Sequence, residues 1–350
     1  MPRYFFVLPD VTKPVGGVNV ALRFVDTLCE AGYEAAALYS QPGFRYHFFD
    51  TSCQAYFYPP LAEVPRQFMG RKKRILESLA RLTRPRKGSA NHLLNLRPDD
   101  VFVIPEFLYP EYSAIFPNNP RILLAQDVFG FCRAYKRDLG NAEPCIDKFE
   151  IIITTSEASR AAVEQFSNSD SYVVPQAVSR PSLAYTSQKK LQIAYMPRKR
   201  ADEVSIVVDC LKKSPALNSW NFVKIDGASP EKLDSILRES LIFLSFSYRE
   251  GFGLPPAEAM ASGCIVVGYS GVGGEEFFQP EFGLPIPDSD VVRFVATVEA
   301  AADEYSQNPT RLDYMRKSAS QYIHAQYSLD SMREKLLTLW KDIDEKILLG

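Results

Sequence analysis

Histidine is scarce in this chain of 350 residues: there are three, against 18 tyrosines and 23 phenylalanines. Neither an imidazole-rich metal centre nor a histidine-based catalytic relay is well supplied by that inventory. His47, His92 and His324 read as structural or solvated residues, and the two tryptophans, Trp220 and Trp340, as packing residues. The six cysteines, at 29, 53, 132, 145, 210 and 264, lie far apart and form no C-x-x-C pair. That spacing argues against a zinc site and a disulfide framework, and for a reducing, cytoplasmic compartment. The opening apolar run "YFFVL" is too short for a signal peptide or a membrane span and reads as a first strand. A formal net charge of −2 gives no overall field to attract nucleic acid.

What is present is ordinary for a soluble globular protein: 46% hydrophobic and 23% charged residues. The length fits two domains. Strand-length apolar runs alternate with segments of helical period. "YFFVL" precedes "GVNVALRFVDTLCEAG"; "DVFVIP", "RILLAQ", "EIIITTS" and "SYVVPQAV" follow, with Ser156 placed to cap the helix "EASRAAVEQF". Residues 179–190 are polar and unpatterned and read as a linker. The rhythm then restarts with "LQIAYM", "NFVKI", "LIFLSF" and "CIVVGY", separated by helices at 201–213, 230–238 and 255–262. Wholly apolar strands alternating with helices imply parallel sheets covered on both faces. The expectation is an α/β chain of two doubly wound, Rossmann-like domains, 1–178 and 185–328. A last amphipathic helix, about 329–350, packs back on the first domain. Ligands of such sheets bind beyond the carboxyl ends of the strands, so the loops there matter most.

Three loops qualify. In "DVTKPVGGVNVA", Gly16 and Gly17 open a helix, where N–H groups favour an anion; the spacing is not the dinucleotide fingerprint G-x-G-x-x-G, and a plain turn is the alternative. In "YMPRKRADE", Arg198, Lys199 and Arg200 stand at a strand end and suit a diphosphate, with a solvated basic turn as the alternative. In "SYREGFGLPPAEAMASG", two carboxylates, Glu250 and Glu258, are separated by seven residues. Glu258 reads as a first-turn acid favoured by the helix dipole behind Pro255 and Pro256. Glu250 has no helix to cap, and a pair of acceptors facing a sugar accounts for both.

"YREGFGLPPAEAMASGCIVVGYSGVGG" closely resembles the E-x7-E region of GT-B glycosyltransferases of the family-4 type, which retain anomeric configuration. The Gly-Gly loop, "TTSEAS", "VVPQAV" and the basic loop after "IAYM" extend the likeness over nearly the whole chain. The resemblance implies that Glu258 binds the nucleotide ribose and that Glu250 faces the donor sugar. It implies that Phe252, Gly253 and Leu254 present N–H groups to the donor, that Arg198 and Lys199, with Arg200 beside them, neutralise the diphosphate, and that Gly16 and Gly17 face the phosphates from the other domain. It further implies a nucleotide diphosphate-sugar donor, a glycan or lipid-linked acceptor, and no metal or other cofactor. Where the family often has a histidine, Gln126 and Asp127 stand here as acceptor-side candidates. "MPRKR" packs its cations together, which leaves open which one meets the phosphate. These departures suggest a subgroup of hexosyl- or deoxyhexosyltransferases of surface polysaccharide synthesis.

Residues 66–87 carry nine Lys/Arg and one acid, with Ile75, Leu76, Leu79 and Leu82 on one helical face. Such a segment is a candidate for peripheral contact with an anionic membrane, for packing on its own domain, or for binding the acceptor. Three alternatives remain beside the transferase. A nucleotide-sugar epimerase calls for acid/base histidines, a solute-binding protein calls for an export signal, and a non-catalytic scaffold is kept open by Gln126.

Overall fold

In the computed structural model, residues 2–64, 91–178, 181–197 and 199–349 are described. The basic segment 66–87, Arg198 and positions 179–180 of the linker lie outside them.

The first half builds one parallel sheet from β1 (Arg3–Val7), β2 (Glu34–Tyr39), β3 (Gln54–Phe57), β4 (His92–Leu93), β5 (Val101–Pro105), β6 (Arg121–Ala125), β7 (Ile151–Thr154) and β8 (Ser171–Val173). The strand order is β4-β3-β2-β1-β5-β6-β7-β8. Helices α1 (Gly16–Glu30), α2 (Tyr109–Ser113), α3 (Val128–Asp138) and α4 (Glu157–Glu164) connect them. The strands β3 and β4 stand at one edge and were not legible in the sequence, being only four and two residues long.

The second half builds another parallel sheet from β9 (Lys190–Tyr195), β10 (Asn221–Lys224), β11 (Ser240–Phe246), β12 (Ile265–Tyr269) and β13 (Leu284–Pro285), ordered β10-β9-β11-β12-β13. Its helices are α5 (Ala201–Leu211), α6 (Pro230–Glu239), α7 (Leu254–Ala261), α8 (Val291–Gln307) and α9 (Thr310–Gln326). Among the described residues, then, the chain holds two doubly wound parallel sheets.

The pleat explains why the strands are apolar throughout. Tyr4 and Phe6 enter one core cluster while Phe5 and Val7 enter another on the opposite face. In the second sheet Ile242 and Leu244 face one cluster and Phe243 the other. Alternate side chains thus fill two cores, and no strand face is left for polar residues.

The final helix, α10 (Leu329–Leu349), returns to the first sheet. Met332, Leu336, Trp340 and Ile343 recur at helical spacing and belong to the same cluster as Tyr4 and Phe6. The Trp340 ring stacks on Phe6 at 5.9 Å and meets Tyr4 edge-on at 5.1 Å. Full burial of one such side chain contributes about 1.5–3 kcal/mol, so this stripe suffices to anchor the helix. The Tyr4 hydroxyl adds a bond to Asp344 at 2.7 Å. The polar stretch before β9 is also tied down. Arg316, 2% exposed, donates to the carbonyls of Thr186 and Ser187 at 2.9 and 2.7 Å.

Both sheets reverse their winding beside a central strand. In the first, β2 to β4 run one way from β1, and β5 to β8 the other. In the second, β10 lies on one side of β9, and β11 to β13 on the other. Ligands of open α/β sheets bind at such reversals. The loops there follow β1, β5, β9 and β11, and they bring together most of the loop residues singled out above. Among the described residues no helix is long and apolar enough to cross a membrane, and no group of three or more His, Cys, Asp or Glu is placed to hold a metal.

Candidate functional site

A cavity of about 800 Å³ lies between the two sheets. Gly16, Gly17, Gln126 and Asp127 line it from the first half; Lys199, Glu250, Phe252, Gly253, Leu254 and Glu258 line it from the second. Two helices begin at this cavity, one from each half, and neither start is capped by a side chain. The residue before α1 is Val15, which has no side-chain acceptor, and the residue before α7 is Gly253. Gly16 approaches Leu254 across the cleft: a Cβ on Gly16 would sit 3.5 Å from the Leu254 Cδ1. The N–H groups of Gly16 and Gly17 at one helix start and of Leu254 at the other, where Pro255 and Pro256 carry none, thus stand at one space, which favours an anion or a set of hydroxyls.

The loop between β11 and α7 is held by the first half. A Cβ on Gly251 would lie 1.8 Å from the Gln126 carbonyl oxygen, so only glycine lets these backbones meet. The Ser156 hydroxyl donates to the Gly251 carbonyl at 2.6 Å. Ser156 also caps α4, accepting from the Ser159 N–H at 3.1 Å. The N–H of Glu157 donates to the carboxylate of Glu276 at 2.8 Å, and the Tyr327 hydroxyl donates to the same carboxylate at 2.9 Å. Burial raises the Glu276 carboxyl above the ordinary range, and these two donors pull it back. Gly253, at φ +97°, turns the chain into α7 through the left-handed region.

Two details differ from the sequence reading. Helix α7 begins at Leu254, so Glu258 is its fifth residue and there is no acid in its first turn. Relief from the helix dipole therefore does not account for Glu258, which lines the cavity. Arg200 is absent from the cavity wall. Its guanidinium bonds Glu203 at 2.7 Å, Ser289 at 3.1 Å and Asp288, and it lies over the rings of Tyr248 and Tyr269. Its charge is already met twice by carboxylates, which leaves it a poor ligand for a diphosphate.

Lys199 pairs with Glu250 at 2.8 Å and donates to the Tyr248 carbonyl at 3.3 Å. Gln126 ties two loops of the first half together: its amide nitrogen donates to the Gly17 carbonyl at 3.1 Å. Asp127 caps α3, accepting from the N–H groups of Phe129 and Gly130 at 3.3 and 2.9 Å. Phe252 is 2% exposed, and its ring packs against Phe277 and Tyr327 at 5.0 Å each, so the side chain supports the loop from behind.

Other residues of the cavity were not read from sequence. Glu106, directly after β5, is 6% exposed and accepts from the Gln126 N–H at 3.2 Å. Burial pushes its carboxyl up to about 8, above the effect of the backbone donors that lower it. Lys13, Gln176 and Arg249 also line the wall. The signal for Glu106 was an acid directly behind a wholly apolar strand.

Comparison with known proteins follows this geometry. Residues 210–321, which include the loop from Glu250 to Leu254 and Glu258, match the family model for glycosyl transferases group 1. An alpha-1,6-glucosyltransferase of Actinobacillus pleuropneumoniae serotype 7 is 35% identical over 126 residues, covering 35% of this chain and 38% of that protein. The chain thus spans well under half of this relative's length. The structure of sucrose-phosphate synthase from Thermosynechococcus elongatus superposes with a TM-score of 0.65 at 13% identity, covering 99% of this chain and 100% of that one. Anabaena HepE in complex with UDP and glucose gives 0.64 at 11%, covering 98% and 100%. The chain has the GT-B fold of glycosyltransferases, and its second half carries a glycosyl transferases group 1 segment.

Proposed function

We propose that the chain moves a sugar from a nucleotide diphosphate-sugar to a hydroxyl of a glycan or lipid-linked acceptor. The observation that carries this reading is the convergence of two uncapped helix starts, Lys199, Glu250 and Glu258 on one cavity between the sheets. A nucleotide diphosphate-sugar presents what that set can hold: ribose hydroxyls for Glu258, sugar hydroxyls for Glu250, and phosphates for the helix starts and the cations. UDP is the nucleotide we favour, because it is the one bound in the Anabaena structure, and a glucosyl group is the first sugar to try, because the Actinobacillus relative is an alpha-1,6-glucosyltransferase.

In the reaction, the bond from the sugar's anomeric carbon to the diphosphate breaks, a bond to the acceptor oxygen forms, and the acceptor's proton passes to the leaving diphosphate oxygen. Negative charge grows on the leaving diphosphate. Lys199 and Arg198 would stabilise it, together with the N–H groups at Gly16, Gly17, Gly253 and Leu254. The cleft would hold the acceptor hydroxyl against the anomeric carbon on the face of the leaving diphosphate, while the halves exclude water. Retention of anomeric configuration, a role in surface polysaccharide synthesis, a cytoplasmic location and membrane contact through 66–87 belong to the same proposal. So does a reaction that uses the protein's own cations rather than a metal. The domain division at the linker, with α10 joining the first domain, also belongs to it.

The test is hydrolysis of UDP-glucose without acceptor, followed by proton NMR of the freed sugar. Release of the α anomer first from an α-linked donor supports a retaining transferase. Release of the β anomer first overturns retention, and no release together with no UDP binding overturns the function.

A further inference from the structure

Arg249 stands at a junction that the reaction as described leaves unused. It lines the cavity described above and also a second one of about 910 Å³, bounded by Phe129, Tyr248, Ser270, Glu275 and Asp288. The two cavities meet at Lys199 and Arg249. Arg249 is exposed, and its backbone lies in the left-handed region at φ +49°. Glycine would make that turn without a steric cost, yet the chain carries its bulkiest cation there. The guanidinium lies 4.9 Å from the Tyr248 ring centre and 5.4 Å from that of Phe129, the latter belonging to α3 of the first half. Stacking of this kind fixes the plane of a guanidinium and leaves its N–H edge open.

The charges around it sharpen the point. Lys199 is paired with Glu250 and Arg200 with Glu203 and Asp288. Among the described residues Arg249 has ring partners and no ion-pair partner. A strained, plane-fixed and unneutralised guanidinium at the mouth of a cleft is built for an oxyanion held in two-point fashion.

We propose that Arg249 is an oxyanion-binding residue of the reaction, meeting a phosphate or carboxylate group at the junction of the two cavities. The inference rests on the transferase reading. The oxyanion has two sources: the donor's diphosphate, or an acidic group on the acceptor entering through the second cavity.

Two arms separate the sources, each run on wild type, Arg249→Gln and Arg249→Gly. The first titrates UDP and uridine by calorimetry. The second titrates sn-glycerol 3-phosphate and glycerol into UDP-loaded protein by ligand-observed NMR. If the diphosphate is the source, the variants lose at least tenfold in UDP affinity and keep their affinity for uridine. If the acceptor is the source, UDP binding is kept, and the preference for glycerol phosphate over glycerol disappears. Thermal melting reports on a purely structural role: Arg249→Gly keeps or raises the melting temperature when the strain serves binding. Unchanged affinity in both arms, with wild type binding UDP, overturns this inference alone. Affinity loss with a melting temperature several degrees lower in Arg249→Gly assigns the residue to holding the halves together, and also overturns it. Wild type that binds no UDP overturns the transferase reading and this inference with it.

Discussion

The hydroxyl of Ser156 donates to the carbonyl of Gly251 at 2.6 Å, joining a helix cap of the first half to the loop that carries Glu250 in the second. Ser156 is fully buried and also accepts from the Ser159 N–H. One side chain therefore holds a helix start and a candidate-site loop together. In Ser156→Ala both bonds go, and the Gly251 carbonyl is left buried without its partner. A lost cap costs about 1 kcal/mol and an unsatisfied buried acceptor about 1–3 kcal/mol. Denaturant unfolding will show a stability loss in that range, with turnover falling as the loop loosens. A variant as stable and as active as wild type would show that this contact matters to neither.

Gly251→Ala tests the contact from the other side. The new methyl would sit 1.8 Å from the Gln126 carbonyl oxygen, so the halves must part. Overpacking of this kind costs about 1–3 kcal/mol where the structure cannot relax. Here it can relax by opening the cleft. The expected outcome is a folded protein with a larger radius of gyration by X-ray scattering and a weaker hold on UDP. A scattering profile identical to wild type would mean that the backbone approach is not kept in solution.

Glu106 predicts a pH signature. Its carboxyl stands at about 8 in the folded chain, well above the ordinary 4.5, because burial disfavours its charge. A raised carboxyl binds its proton more tightly when folded, so stability falls as pH rises between these two values. The slope for one such group is at most about 1.4 kcal/mol per pH unit. Glu106→Gln keeps an oxygen for the Gln126 N–H and cannot ionise. Unfolding measured from about pH 5 to pH 8 should show wild type losing stability relative to this variant, and a constant difference would remove the claim.

Lys199→Met removes the cation paired with Glu250. If that ammonium stabilises the leaving diphosphate, turnover at saturating donor drops by about 10²-fold or more. Wild-type turnover in this variant would leave the diphosphate to other groups.

The sequence disclosed what is local. The alternation of buried strands and helices, the Ser156 cap and the spacing of Glu250 and Glu258 are written in short stretches, and the fold preserves them. Arg200 was indistinguishable from its neighbours because one of the two carboxylates that neutralise it, Asp288, lies 88 residues away, and the pairing with the other, Glu203, appears only once the chain is folded. Glu258 was misplaced by one residue, enough to put it past the first turn, because α7 starts at Leu254, ahead of its prolines. Glu106 and Arg249 passed unread for a different reason. Burial of one carboxylate and the left-handed backbone of one arginine are properties of the assembled chain. Strands β3 and β4 were too short to show a period.

The central claim is that Glu258 holds the nucleotide of a sugar donor in the cleft between the sheets. Calorimetric titration of UDP into wild type and Glu258→Ala tests it most directly. A hydrogen bond to a carboxylate is worth about 1.5–3 kcal/mol, or about ten- to a hundredfold in affinity. The account predicts UDP binding by wild type and a loss of that size in the variant. Equal dissociation constants for the two proteins would contradict it.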